Sequence, residues 1–101
     1  MFNAADFDAA LAAASGDDIA LAAELRAVFI ESAERHLDLL RRARCDGNWK
    51  VAATRLQGLA ASFHASELLE LASEAAIGAP GEPGVLRRIR ACLDEFLARD
   101  G

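Results

Sequence analysis

Apolar residues recur in steps of three and four along almost the whole chain, and this spacing limits its possible folds more than any other feature. It gives each segment one apolar stripe, as a helix with one buried face requires. No alternating run of the kind a half-buried strand shows can be found, and Val, Ile, Thr and Tyr are scarce. The stripes are interrupted at SGDD, CDGN and GAPGEPG, and once more near Phe63 to Ala65.

These breaks define five helices. The first runs from about Ala4 to Ala14, with Phe7 and Leu11 one turn apart. SGDD ends it, and Asp17 or Asp18 can cap the next helix by accepting its free N–H groups. The second runs from about Asp18 to Arg44, and its expected buried stripe is Leu21, Leu25, Val28, Phe29, Ser32, His36, Leu39, Leu40 and Ala43. CDGN closes it, Gly47 being able to take a positive φ. The third starts around Asn48 and carries Trp49, Ala52, Ala53, Leu56, Leu59, Ala60 and Phe63 inward. The fourth spans about Ser66 to Ile77, with Leu68, Leu69, Leu71, Ala72, Ala75 and Ala76 inside. Ser66 is its candidate N-cap, and Glu67 suits the positive end of its dipole. Pro80 and Pro83 lie in the clearest loop. The last helix, from Glu82 or Pro83 to Ala98, buries Val85, Leu86, Ile89, Cys92, Leu93, Phe96 and Leu97.

The expected fold is all-α: an antiparallel up-and-down four-helix bundle with a short extra N-terminal helix packed across one end. The 101 residues suit a single domain, with residues 1–17 forming the first helix and turn and residues 18–98 the bundle. A hydrophobic content of 53% is ample for one core and unlike a disordered chain.

Composition also narrows the function. A net charge of −5 argues against general nucleic-acid binding, which needs a basic surface. No window approaches the roughly 18 to 20 apolar residues of a membrane span. The opening MFNAADFDAALAAASGDD is acidic where a secretory signal is basic. The chain is therefore expected to be cytoplasmic, with no membrane and no nucleic-acid partner, and monomeric. Cys45 and Cys92 are then expected to be free thiols, Cys92 as a small core residue. Two scattered Cys and two scattered His lack zinc-site spacing. A di-iron bundle would need Glu-x-x-His, and Ala33 and Ala61 stand where the Glu would be. No metal, cofactor or catalytic constellation is expected. The pairs Glu31/Glu34 and Glu70/Glu74 have helical spacing and read as solvated faces.

The charge is uneven. The first forty residues are acid-rich, and then come Arg41, Arg42, Arg44, Lys50 and Arg55, with Arg87, Arg88 and Arg90 as a second basic group. These are either solvated helix faces, favourable near helix C-termini, or a docking patch for an acidic partner. Gly58 stands in the middle of the third helix, where glycine costs about 1 kcal/mol relative to alanine. It shares the outer face with Thr54, Gln57, Ala61 and Ala65. Small residues there reflect tolerance, tight packing on a neighbouring helix of the same bundle, or the close approach of another protein.

WKVAATRLQGLAASFHASELLELA resembles the signature of histidine-containing phosphotransfer (HPt) domains, and FIESAERHLDLL and DGNW resemble the family's preceding helix and turn. The resemblance covers about Leu21 to Leu97. It implies a four-helix bundle that exchanges a phosphoryl group with the aspartate of receiver domains. Ala53, Leu56 and Gly58 match the family's alanine, leucine and glycine. The phosphoryl-accepting histidine maps onto Thr54, the lysine that balances phosphoryl charge onto Gln57, the small residue after the glycine onto Leu59, and the later glycine onto His64. A threonine hydroxyl is a poor nucleophile without a neighbouring base, and its phosphate ester is too stable for a reversible relay. His64 lies ten residues beyond Thr54, about 15 Å along a helix axis, and reads as the end of the third helix. His36, on or beside the apolar stripe, reads as a hydrogen-bonded residue at the edge of the core.

Three functions are consistent with these residues. One is a phosphorelay-derived module that binds a receiver or histidine-kinase partner without carrying phosphate. Its docking residues would be Thr54, Arg55, Gln57, Gly58 and Ala61, with Lys50 and Arg41 facing an acidic pocket. Another is an active phosphotransfer protein that uses His64 or His36. The third is a generic helical protein-binding or dimerisation bundle.

Overall fold

The computed structural model describes residues 4–100, so Met1, Phe2 and Asn3 of the acidic opening lie outside the described residues. Among the described residues the fold is all-α with five helices: α1 (Ala5–Ser15), α2 (Ile19–Arg42), α3 (Asp46–Ser62), α4 (Ser66–Ile77) and α5 (Pro83–Asp100). Among the described residues no helix is long and apolar enough to cross a membrane.

The helix ends follow local chemistry. Gly16 closes α1 in the left-handed conformation, φ 59°. The Asp18 carboxylate then accepts from the Leu21 N–H at 3.0 Å and caps α2, as one of the two expected caps. α2 stops at Arg42, two residues short of expectation, because Ala43 turns to extended backbone. Gly47 is not the stop: it lies in the first turn of α3, which begins at Asp46 rather than Asn48. Ser66 does not cap α4 either, since it is the first helical residue and Ala65 precedes it without a side-chain cap.

The joint between α3 and α4 is a left-handed C-terminal cap built without glycine. His64 holds φ 57°. Its N–H donates to the Ala61 carbonyl at 3.2 Å, and the Ala65 N–H donates to the Ala60 carbonyl at 2.8 Å. This paired pattern satisfies carbonyls that the helix end would leave free. Ala65 was expected on the outer face of the third helix, yet the turn carries it inside, where it is buried.

α2 packs against α1, α3 and α5, α3 against α4, and α4 against α5. All five helices contribute to one core. At its centre α3 carries Trp49, Ala52, Ala53, Leu56 and Ala60, and the Trp49 Nε1 donates to the Ala75 carbonyl of α4 at 2.7 Å. At one end Phe7 of α1 meets Phe29 and Phe96 with ring centroids 4.8 Å away, and Phe63 at 6.3 Å.

The buried face of α2 differs from the expected stripe. Phe29, Ala33, Leu37 and Leu40 are its buried residues. Val28 is 56% exposed and Leu39 41% exposed. A helix that meets three others buries a broad face. α2 has apolar residues on more than one side, so spacing alone selected a line displaced to one edge of the true face. Leu97 of α5, also expected inside, is 44% exposed.

The expected solvated acidic faces are partly committed to ion pairs between helices. Both terminal guanidinium nitrogens of Arg90 on α5 donate to Glu34 of α2 at 2.6 Å, the two-pronged arrangement that suits carboxylate geometry. Arg88 grips Glu74 of α4 in the same way. Arg99 bonds Asp8 of α1 at 2.5 Å.

Candidate functional site

α3 turns its core residues to one side, which leaves Gly58 at the middle of the opposite face. At 100° per residue Gly58 lies directly across the helix from the mean direction of Trp49, Ala53, Leu56 and Ala60. Thr54, Ala61 and Val51 flank it, and all of these are exposed. A side chain added at Gly58 would meet nothing within 4 Å. Tight packing against a neighbouring helix of the same fold therefore does not explain the glycine. Its carbonyl accepts from the Ser62 hydroxyl at 2.9 Å, a bond any residue at this position would permit.

The structure brings Lys50, Thr54, Arg55, Gln57, Gly58 and Ala61 together on α3, each exposed except Gln57. Gln57 is half-buried, and its amide donates to the Ser73 hydroxyl of α4 at 3.0 Å. It helps to fasten α3 to α4 and so is not free to turn toward Thr54. Among the described residues nothing hydrogen-bonds the Thr54 hydroxyl, so no base stands ready to activate it.

Arg41 lies apart from this group. It pairs with Asp38 at 3.1 Å and lines a small depression with Glu34, Leu37 and Arg90, on the α5 side of α2. Arg42 is the residue of that turn that faces α3. It lines a groove of about 390 Å³ with Leu39, Ala43, Val51, Ala52 and Arg55. Spacing could not find this groove, because it pointed Leu39 into the core. The basic group that includes Arg42 and Arg55 was its signal in the sequence.

The basic groups thus separate. Arg88 and Arg90 serve ion pairs between helices, and Arg41 and Arg42 share Asp38. Arg44, Lys50 and Arg55 are exposed, and among the described residues no ion pair forms at any of the three.

The histidines sit elsewhere. His64 ends α3 and lies beside Asp6, Ala9 and Ala10 of α1. His36 is half-buried, and its Nδ1 is buried with no hydrogen-bond partner, unlike the satisfied residue expected. Burial first, and then the charges of Arg35 and Arg55, hold its pKa below the usual histidine value. Cys45 is exposed and Cys92 buried, both as free thiols. Burial, and next the Glu67 carboxylate, push the Cys92 thiol up to about 12. Among the described residues no three His, Cys, Asp or Glu side chains converge to hold a metal.

Comparison with protein-family models, with curated proteins and with solved structures gave no match.

Proposed function

We propose that the chain is an HPt-like docking module of a bacterial phosphorelay, which binds a receiver or histidine-kinase partner in the cytoplasm without carrying phosphate. The observation that carries this reading is the open space over Gly58 at the centre of the exposed face of α3. The fold itself does not require glycine there, which supports the close approach of a partner as its reason. Thr54, one turn earlier, offers a hydroxyl with no base beside it. Gln57, where the resemblance places a charge-balancing lysine, is neutral and engaged with Ser73. Lys50 and Arg55, which form no ion pair, supply positive charge toward an acidic pocket.

The order of helix contacts supports the bundle that this reading needs. Short turns join α2 to α3 and α3 to α4, a longer one joins α4 to α5, and α5 returns to α2. This order of contacts is the one an up-and-down four-helix bundle would give.

The test is direct binding of the chain to a panel of purified receiver domains, with Gly58→Arg as the control. The reading expects at least one receiver to bind and the substitution to weaken it about tenfold or more, since an added Arg bars close approach. Equal binding by both proteins would move the interface elsewhere. In the same experiment no acid-labile phosphate should pass to the chain from a phosphorylated receiver. Label that His64→Ala or His36→Ala abolished would instead make it an active phosphotransferase. The exposed apolar side chains of Leu39 and Val51 favour a second reading, a helical protein-binding bundle unrelated to phosphorelay.

A further inference from the structure

We propose that the groove between the C-terminal turn of α2 and the first half of α3 is a docking site for an acidic peptide segment with an aliphatic anchor residue. Leu39 and Val51 are large apolar side chains left 41% and 50% exposed on facing helices. The buried Ala43 and Ala52 lie between them and leave room for an inserted side chain. Arg42 and Arg55 line the same groove, one from each helix. A volume of about 390 Å³ is at the small end of ligand sites, which run to about 300–1,000 Å³. It suits one or two aliphatic side chains rather than a folded domain.

Charge identifies the occupant. Residues 38–55 carry five basic side chains (Arg41, Arg42, Arg44, Lys50 and Arg55) against the two acids Asp38 and Asp46, Asp38 being shared by Arg41 and Arg42, while the whole chain has a net charge of −5. The groove is thus a positive island on an acidic protein. An apolar floor beneath two guanidinium groups matches a segment with Leu, Ile or Val flanked by Asp or Glu. Nucleic acid would meet repulsion from the rest of the surface and would leave Leu39 and Val51 without apolar contacts.

This site shares Arg55 with the phosphorelay docking face but is argued without that reading. Val51 and Gly58 are two turns apart on α3, about 10 Å along its axis. Selection of a random peptide-display library on the immobilised full chain tests the proposal. The expected winners carry an aliphatic residue between carboxylates. A synthetic copy of the best should lose about tenfold or more in affinity for Val51→Glu and for Arg55→Glu, with their helical circular dichroism unchanged. It should bind Gly58→Arg no more weakly than the parent, and weaken as salt is raised. No enrichment, winners without acidic residues, or affinity indifferent to both groove substitutions would overturn the proposal. Sedimentation velocity provides the last outcome. Self-association abolished by Val51→Glu would assign the groove to a second copy of the chain and overturn the acidic-peptide assignment.

Discussion

Replacing Gly58 by alanine should make the protein more stable. Gly58 lies inside α3, four residues before its end, so alanine removes the backbone-entropy penalty of a helical glycine. The added methyl meets nothing within 4 Å, so it brings neither a clash nor useful burial. Propensity alone remains, worth about 0.8–1.0 kcal/mol in a helix interior. For a domain of this size that should raise Tm by roughly 3–8 °C. Leucine or arginine at this position should recover most of the same gain, because both are good helix formers. Thermal and urea unfolding followed by circular dichroism will show it, with an unchanged urea m-value as evidence that the folded state is the same. A lower Tm for Gly58→Ala would mean that Gly58 touches something within the fold, and the argument for an open face would fail. A higher Tm together with weaker partner binding in Gly58→Arg would mean that the glycine costs stability and serves recognition.

Three further outcomes follow from particular residues. Titration with a thiol reagent near pH 8 should find one reactive cysteine in the native protein, the exposed Cys45, and two in denaturant, because the buried Cys92 thiol is pushed up to about 12. Substituting His64→Gly should add about 1 kcal/mol, measured by urea unfolding, because glycine adopts φ 57° without the steric cost histidine bears there. Arg90 holds Glu34 below its ordinary value of 4.5, chiefly by hydrogen bonding, so this pair stabilises the fold above that pH and the contribution is lost as pH falls through the lowered value. His36, held below 6.5, likewise costs stability as pH falls below 6.5, since the unfolded chain takes up that proton first. Urea midpoints against pH should therefore fall in two windows. Substitution His36→Gln should flatten the upper window, and Glu34→Gln should shrink the lower, which Glu74 shares through its bond to Arg88.

The sequence was most legible where backbone chemistry is local. Gly16, Asp18 and the two prolines of GAPGEPG mark helix ends through properties of single residues, and those ends fell within a residue or two of expectation. The stripe of α3 was legible because its bulky apolar residues, Val51 apart, lie on one side. α2 was harder to read, since Val28 and Leu39 on its edge are as apolar as Leu37 in its core, and the partners of a helix are not written in its own spacing. The same limit hid the ion pairs. Glu34 and Arg90 are 56 residues apart, so each showed only the helical spacing of its own surroundings. For the candidate site, Thr54, Gly58 and Ala61 could be placed on one face from spacing. The emptiness over Gly58, the Gln57–Ser73 bond and the groove beside Val51 required the packing of α2 and α4 around α3.

The ring contacts of Phe7 make α1 a working part of the cooperative unit. Phe7 is fully buried against Phe29 of α2, Phe96 of α5 and Phe63 at the end of α3. Detaching α1 therefore strips aromatic cover from α2, α5 and the end of α3 together. Amide hydrogens of α1 should then exchange with solvent through the same opening that exposes this end of the core, rather than fray independently as a terminal arm would. A shortened chain that begins at α2 would carry an exposed aromatic surface, and its first failing would be aggregation rather than loss of helix.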